Sequence, residues 1–325
     1  MYLARPKSNM MNMVRNVLVA ALGLLIIVSC KKDDDGGPTV EPPRDFGEVA
    51  LESQEIFEAF LSTHFYNYEE FETEAQDFDY KIRFDTISGA NSDKTSLMEQ
   101  VIVKTIKRGG VDHKLYVLVA REGEGVKPHF ADSTLVNYEG NVPYKNKFDF
   151  SVTPVWEDLA SAAPAAELYT QTPNYLDGFA NALPEFGVAT EVGIGADGST
   201  TYSNDYGIGA IFIPTGLAYY NSRSGTIAPY ENLIFKIELI AFKETDHDRD
   251  GIPSYLEDIN GNNYVNDLGD DTDGDRVPDY LDTDDDGDGT PTREEINLDE
   301  DGNLILPFPD SDNDGVPDYL DPDIS

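Results

Sequence analysis

The chain has 325 residues, enough for one or two domains with a sizeable apolar core. It contains 62 acidic and 23 basic residues, and residues 246–325 hold 27 of the acidic but only 3 of the basic ones. This composition argues against nucleic acid as a partner, because phosphate binding needs clustered Lys and Arg. It favours divalent cations as partners of the acidic C-terminal segment.

The N-terminus is predicted to be a targeting segment. A basic region precedes the apolar residues 17–28, a run too short to be a confident membrane span. Residues 27–30 (IVSC) resemble a bacterial lipobox, and Cys30 is the only cysteine of the chain. We therefore predict a signal peptide over residues 1–29 and lipidation of Cys30, since several acyl chains give lasting attachment. An ordinary signal peptide with an incidental cysteine is the alternative.

Residues 30–47 are rich in Gly, Pro and charge and are predicted to form a flexible tether. Within them, residues 31–35 (KKDDD) resemble the charged export signal of surface lipoproteins in Bacteroidota, and a solvated linker is an equal alternative. We expect a protein of the bacterial cell envelope, anchored by Cys30 in the outer membrane, on its periplasmic side or exposed at the surface.

Residues 48–126 are predicted to be an N-terminal extension that packs on the main domain. Apolar residues at helical spacing predict a helix over residues 52–66. Its expected apolar face contains Ile56, Phe57, Phe60 and Leu61. Alternation of apolar and polar residues predicts strands over residues 80–86 and 100–105, and a further strand is expected over residues 113–119.

The main domain is predicted to span residues 127–243 and to contain many strands but one short helix. Strands are expected at 135–138, within 144–150, at 188–194, 208–213 and 233–242. The helix lies within residues 173–186, with Leu176, Phe179 and Leu183 on one side. This arrangement indicates an α+β fold in which an antiparallel β-sheet wraps around a short helix.

Five segments of this domain resemble the FK506-binding (FKBP-type) peptidyl-prolyl cis-trans isomerases, in the order that the family has them. They are residues 136–140 (VNYEG), 147–151 (KFDFS), 175–179 (YLDGF), 213–220 (IPTGLAYY) and 227–239 (IAPYENLIFKIEL). The resemblance covers residues 115–242. It implies an FKBP-like fold and catalysed isomerisation of X-Pro bonds in exported or envelope proteins, with proline-containing polypeptides as clients.

The chemistry of that reaction suits an aromatic site. Rotation about a peptide bond has a barrier of about 18–20 kcal/mol, and X-Pro bonds populate both isomers but exchange slowly. A dry aromatic pocket that takes the proline ring favours the twisted amide, which has lost resonance. Neither a nucleophile nor a metal is needed.

The resemblance also implies roles for nine residues. Aromatic side chains would form the walls and floor of the pocket, and others would close its rim or hold polar contacts. The walls are Tyr138, Phe148 and Phe235, the floor is Phe179, the rim is Tyr175 and Leu176 with a backbone N–H for a substrate carbonyl, Tyr219 offers its hydroxyl, Ile227 closes one side, and Asp149 holds polar contacts at the edge. Core packing is the alternative for the four wall and floor residues, and a buried tyrosine with a satisfied hydroxyl is the alternative for Tyr219.

The sequence departs from the family pattern around this site. Tyr220 stands where Gly is usual, and Gly often supplies a positive φ there. The family has a proline pair after this loop, where residues 228–229 are Ala-Pro. Residues 157–172 and 196–205 are insertions. The first insertion leaves open whether Val155 or Trp156 fills the next pocket wall. An FKBP-like module that binds or chaperones clients without turnover is therefore the alternative function, and a structural surface protein is a third.

Residues 244–325 are predicted to be a calcium-binding repeat segment. Four loops carry carboxylates at positions 1, 3 and 5 and an acid at 12, which is an oxygen ligand set for Ca²⁺. Position 6 is a turn glycine in three of them, whereas Arg276 takes its place in the second. We call them loop 1 (residues 246–257), loop 2 (271–282), loop 3 (284–295) and loop 4 (310–321). The predicted ligands are Asp246, Asp248, Asp250, Ile252 and Glu257; Asp271, Asp273, Asp275, Val277 and Asp282; Asp284, Asp286, Asp288, Thr290 and Glu295; and Asp310, Asp312, Asp314, Val316 and Asp321, with Ile252, Val277, Thr290 and Val316 acting through backbone carbonyls.

The repeats resemble thrombospondin type-3 repeats, which are organised around calcium where apolar burial is missing. The alternative is a disordered acidic linker, which we expect to be correct without calcium because folding and ion binding are coupled. Residues 258–262 are a possible degenerate fifth loop. The glycine-rich residues 193–198 lack a following helix and predict a hairpin turn, and the four histidines have no zinc or triad spacing. We expect no cofactor for isomerisation and a monomeric protein.

Overall fold

A computed structural model of the protein describes residues 42–145, 147–161, 175–195 and 198–324. The described residues from Arg44 onward belong to one structural unit. The predicted signal peptide, Cys30 and most of the tether lie outside the described residues. No helix among the residues that are described is long and apolar enough to cross a membrane.

The first helix, α1 (Phe46–Thr63), begins at Asp45, whose side chain accepts a hydrogen bond from the backbone N–H of Glu48. Its buried face runs through Val49, Ser53, Phe57 and Phe60, the spacing of one helical stripe. The predicted helix is confirmed, but it begins six residues earlier and ends at Thr63, because residues 64–66 form a short strand. The prediction that Ile56 faces the core is wrong, because the stripe set by Val49 turns Ile56 outward, where it is 37% exposed.

One antiparallel sheet of seven strands forms the main domain, with the strand order β3-β4-β10-β11-β5-β6 and with β7 also paired to β5. Its strands are β3 (Val101–Arg108), β4 (Val111–Arg121), β5 (Ser133–Asn141), β6 (Lys147–Phe150), β7 (Val155–Asp158), β10 (Gly207–Ile213) and β11 (Leu233–Lys243). Strand β10 is buried along its whole length. The predicted α+β class with an antiparallel sheet around a short helix is confirmed.

The remaining elements are short. Strands β1 (His64–Tyr66) and β2 (Phe84–Thr86) pair on either side of α2 (Tyr68–Thr73), and β8 (Val192–Ile194) pairs with β9 (Thr200–Tyr202). The strands predicted at 80–86 and 188–194 are thus shorter than expected. Tyr80 has a left-handed φ of 57°, which ends an extended run, and Ala189 donates to the carbonyl of Ile240 outside any ladder.

Helix α3 (Leu176–Ala182) covers one face of the sheet, and α1 covers the other. The α3 side holds Phe179 and Leu183 against β10 and β11, whereas the α1 side holds Phe57 and Phe60 against Phe212. Gly178 lets α3 approach the sheet, since a Cβ there would lie 2.5 Å from Ile213. Strands β3 and β4, which we expected in an extension packed on the domain, are part of the main sheet.

The acidic segment has little regular structure: 3₁₀ turns at Ser254–Leu256, Asp279–Leu281 and Asp318–Leu320, and a four-residue helix, α4 (Thr292–Glu295). It packs on the main domain nonetheless. Tyr280 and Val265 are buried with Ala131 and Ala160, and the Thr245 hydroxyl donates to the Ala131 carbonyl at 2.7 Å.

A buried ion pair joins the sheet, α3 and the acidic segment. The Arg108 guanidinium donates to both carboxylate oxygens of Asp177 at 2.8 and 3.1 Å. It also donates to the backbone carbonyls of Asn262 and Asn263 at 3.1 and 3.4 Å. Neither charged side chain is exposed by more than 5%. Removing one partner would leave an uncompensated charge in an apolar interior.

We therefore expect Arg108→Met to lower the free energy of unfolding by about 3–5 kcal/mol, because Asp177 stays buried without its partner. Urea unfolding monitored by circular dichroism measures this. Lys107→Met is the control on the same strand, since Lys107 is exposed, and should change stability by less than about 0.5 kcal/mol. Equal effects of the two substitutions would contradict the structural role of the pair.

Candidate functional site

The ring of Phe235 on β11 is the centre of a cluster of aromatic side chains. Its centroid lies 4.9 Å from Tyr175, 5.0 Å from Phe179, 5.6 Å from Phe148 and 5.7 Å from Tyr138. Three of these pairs are edge-to-face, a favourable geometry for aromatic rings. The site is therefore an aromatic cup with contributions from β5, β6, β11 and the start of α3.

Strands β5 and β6 supply one wall of the cup. The Tyr138 hydroxyl donates to Asp149 at 2.9 Å, and burial together with Asp149 raises the Tyr138 pKa to about 12. Gly140 makes room for this wall, since a Cβ there would lie 2.5 Å from the Phe148 ring. The tyrosine therefore stays protonated at neutral pH, and its hydroxyl donates a hydrogen bond to the Asp149 carboxylate.

Tyr175 lies inside the cup rather than only at its rim. Its ring is 5.1 Å from Phe179 and 6.4 Å from Tyr219, in addition to its contact with Phe235. Its hydroxyl donates to Glu157 at 3.1 Å, and burial, followed by the Glu157 charge, raises its pKa. The ring thus covers the fully buried Phe179 that we predicted to be the pocket floor.

The structure brings all nine predicted pocket residues together. Ile227 is buried in the same core cluster, and Leu176 and Tyr219 pack against it. Val155 also packs against this cluster, whereas Trp156 is 46% exposed and its ring has the Lys243 ammonium 4.5 Å from its centroid. Val155 is therefore the residue of this pair that faces the core. The roles of the nine residues in binding stay predictions.

Tyr220 keeps the backbone conformation that Gly would supply. Its φ is 48°, and it points away from the cup into a cluster with Phe46, Val49 and Tyr230. Its ring meets Phe46 edge-on at 4.9 Å, and its hydroxyl donates to the Arg44 carbonyl. The departure from the family pattern thus fastens the start of α1 to the loop and leaves the cup unobstructed by this side chain.

His113 on β4 supports the same loop from beneath. It is 1% exposed, its ring lies 4.7 Å from that of Phe46, and it lies against Gly216. Burial, together with the nearby Arg108 charge, lowers the His113 pKa to about 4, although Asp112 acts in the opposite direction. The folded protein therefore holds this imidazole in its neutral form.

This shift predicts a loss of stability in acid. A histidine whose pKa is lower in the folded state contributes stability above its unfolded pKa of about 6.5, and this stability is lost as the pH falls toward about 4. We expect a difference of about 2 kcal/mol in unfolding free energy between pH 7 and pH 5 that is missing in His113→Leu. Urea unfolding of both proteins at the two pH values measures it. The same pH dependence in both would contradict the assignment.

The four predicted calcium loops share one pattern of hydrogen bonds. In each, the backbone N–H of position 5 donates to the carboxylate at position 3, and that of position 7 donates to the carboxylate at position 5, at 2.6–3.1 Å. In each, the N–H of position 2 also donates to the side chain at position 9. The repeats seen in the sequence are thus repeats in structure.

Each loop gathers carboxylates closely enough to share an ion. One oxygen from each member of a group lies within 4.8 Å of the others. The groups are Asp271, Asp273 and Asp275 in loop 2; Asp284, Asp286 and Asp288 in loop 3; Asp310, Asp312 and Asp314 in loop 4; and Asp248, Asp250 and Glu257 of loop 1 together with Asp285 of loop 3. These sets contain only oxygen atoms, which suit a hard cation such as Ca²⁺.

The acids predicted at position 12 lie near their loops in three cases. Glu257 belongs to the loop 1 group; the pKa of Asp282 is raised by burial and by Asp275 and Asp273; and that of Glu295 is raised to about 7 by burial and by the loop 3 carboxylates. The fourth acid, Asp321 of loop 4, lies near loop 3 instead. Burial raises the pKa of Asp286 in loop 3, and the charge of Asp321 adds to this rise.

Asp246 and Asp285 differ from the sequence prediction. Asp246 accepts from the backbone N–H groups of Arg249 and Gly251 and stands outside the group of four. Asp285 stands in that group, although position 2 is no ligand position in the pattern that we used. The sequence signal for Asp285 is a contrast between the loops. Position 2 is an acid in loop 3, whereas loops 1, 2 and 4 carry a neutral side chain or His there.

Comparisons with known proteins found one family model and several solved structures that are similar to parts of this chain. A family model described as BamM C-terminal matches residues 247–309. A peptidyl-prolyl cis-trans isomerase of Pseudomonas syringae is 24% identical and matches over 44% of this chain and 81% of its own, with a TM-score of 0.31. FkpA of Escherichia coli is 14% identical and matches over 74% of each chain, with a TM-score of 0.32.

The N-terminal domain of FKBP42 from Arabidopsis thaliana is 17% identical and matches over 41% of this chain and 89% of its own, with a TM-score of 0.30. No curated protein matches this chain. The family match covers a minor part of the chain, so it describes the acidic segment alone.

Proposed function

We propose that the main domain is a peptidyl-prolyl cis-trans isomerase that acts on exported or envelope proteins. The observation that carries this proposal is the aromatic cup around Phe235, in which the residues of five separate FKBP-like segments meet. Such a cup removes a proline ring from water and lowers the polarity around the amide. The twisted amide is favoured there because it has lost the charge separation of the planar form.

Tyr175 has a part in this function. Its ring covers Phe179 and Phe235, so a proline ring that reaches the floor of the cup takes the place of the Tyr175 ring. Tyr175 is held by one hydrogen bond to Glu157 and by ring contacts, all of which are non-covalent and reversible. Client binding therefore requires this side chain to turn out of the cup.

The test is isomerisation of an X-Pro peptide by the purified protein. We expect catalysis to fall at least tenfold in Phe148→Ala, which removes a wall, and to fall less in Tyr219→Phe, which removes only a hydroxyl. Phe150→Ala is the matched control, since Phe150 lies on the same strand but is 52% exposed. It should retain the activity of the unmutated protein.

Background rates for the unmutated protein would overturn the enzyme proposal. The second candidate is a module that binds proline-containing clients without turnover, and the Tyr175 ring inside the cup favours it. Binding of the peptide without acceleration, lost in Phe148→Ala, would support this second function.

We also propose that the acidic loops bind Ca²⁺ and that the segment is ordered by it. Many carboxylate oxygens of these loops are buried without a hydrogen-bond partner, among them both oxygens of Glu257 and of Glu295. Burial and neighbouring acids raise the Glu257 pKa to about 11, so the ionised form needs a cation to be stable. Calcium added to chelator-treated protein should raise its thermal unfolding temperature. No change at millimolar calcium would contradict the proposal.

We propose finally that lipidated Cys30 anchors the protein in the bacterial envelope. The order of basic region, apolar run and Cys30 supports this, and the match to the BamM C-terminal family is in keeping with an outer-membrane protein. Cys30→Ala should move the protein from the membrane fraction to the soluble fraction of cells. An unchanged distribution would contradict the anchor.

A further inference from the structure

Buried carboxylates from two different loops meet in the acidic segment. Asp250 and Glu257 belong to loop 1, and Asp285 belongs to loop 3; they are 2%, 0% and 1% exposed. Together with Asp248, they place one carboxylate oxygen each within 4.8 Å of the others. The group therefore spans two repeats that are about thirty residues apart in the sequence.

Six of the eight carboxylate oxygens of this group have no hydrogen-bond partner among the residues that the structure describes. Both oxygens of Glu257 and both of Asp285 are buried without a hydrogen bond, as is one oxygen each of Asp248 and Asp250. Burial raises the pKa of Asp250 to about 6, although the charge of Arg293 acts in the opposite direction. Arg293 is exposed, and within the described part of the chain it forms no ion pair with the group. Unpaired buried charges are costly unless a cation compensates them.

Asp285 is set apart from its equivalents in the other loops. His247, Thr272 and Ser311 hold the same position, and their side chains hydrogen-bond back to position 9 of their own loop. Asp285 uses only its backbone N–H for that contact, with Thr292 at 3.1 Å. Its carboxylate lies instead among those of Asp248, Asp250 and Glu257 in loop 1.

We propose that Asp248, Asp250, Glu257 and Asp285 bind one divalent cation that ties loop 1 to loop 3. An all-oxygen set of four carboxylates is suited to Ca²⁺, which accepts six to eight oxygens in flexible geometry. This inference rests on the proposed calcium binding of the acidic segment. It adds that the loop 1 site is completed by loop 3 and is absent from either loop alone.

The shared ion has a consequence for the main domain. Loop 1 follows β11 directly, and its His247 lies 3.3 Å from Asp158 on β7. The neighbouring residue, Glu157, accepts the hydrogen bond of Tyr175 in the aromatic cup. A shared ion therefore ties loop 3 to loop 1, which itself contacts β7 through His247.

The experiment is calcium titration by calorimetry of the chelator-treated full chain and its variants. Asp285→Asn keeps the side-chain volume and removes the charge, and should weaken one class of calcium site at least tenfold. Asp301→Asn is the matched control, because Asp301 is an exposed acid of the same segment. It should bind calcium as the unmutated chain does.

Calcium binding by Asp285→Asn equal to that of the unmutated chain would overturn the shared site and leave calcium binding by the separate loops intact. No binding by the unmutated chain would overturn both proposals.

A double-variant comparison identifies the loop on which Asp285 acts. With a shared site, Asp250→Asn combined with Asp285→Asn should lose no more sites than either alone, whereas Asp286→Asn combined with Asp285→Asn should lose two. The reverse pattern would assign Asp285 to its own loop and overturn the inference. Circular dichroism of each calcium-loaded variant checks that the fold is retained.

Discussion

The contacts of the Phe235 ring hold the functional part of the molecule together. This one side chain, on a central strand, touches rings from β5, β6 and the residue that begins α3. Three of its four ring partners meet it edge to face, which is a favourable geometry for aromatic pairs. The close approaches at Gly140 and Gly178 follow from the same constraint, since both allow a ring or a helix to reach the sheet around Phe235.

The main domain and the acidic segment bury different kinds of side chain. The main domain buries apolar side chains on both faces of its sheet, with α1 on one side and α3 on the other. The acidic segment buries carboxylates instead, and their mutual repulsion disfavours its folded form unless cations are present. Arg108 joins the two parts, because it neutralises Asp177 of α3 and at the same time binds backbone carbonyls of the acidic segment.

Much of the fold was predictable from the sequence, because long strands and the α3 stripe have clear periodicity. The aromatic site was predictable as a set of residues, since all nine lie together. The place of Tyr175 was not, because whether a ring lies at a rim or inside a cup depends on tertiary contacts. Ile56 fits a helical stripe in sequence, but the phase of that stripe is set by Val49 and Ser53.

Sequence spacing also fails to find contacts between the acidic loops. A spacing rule within one loop finds Asp248, Asp250 and Glu257, yet it cannot find Asp285, which reaches loop 1 only through the packing of one repeat on another. Tyr220 was flagged by its place in a loop that usually carries Gly. The sequence did not decide between a left-handed φ at Tyr220 and another path of the loop, and it gave no sign of the partner Phe46, which is far away in sequence.

The central claim is that the cup around Phe235 binds proline. The most direct measurement is a titration of the isotope-labelled protein with an X-Pro peptide, observed through the NMR signals of its aromatic rings. The account predicts shifts of Tyr138, Tyr175, Tyr219 and Phe235, which are absent when Ala replaces Pro in the peptide. Shifts confined to other parts of the protein, or equal shifts with both peptides, would contradict it.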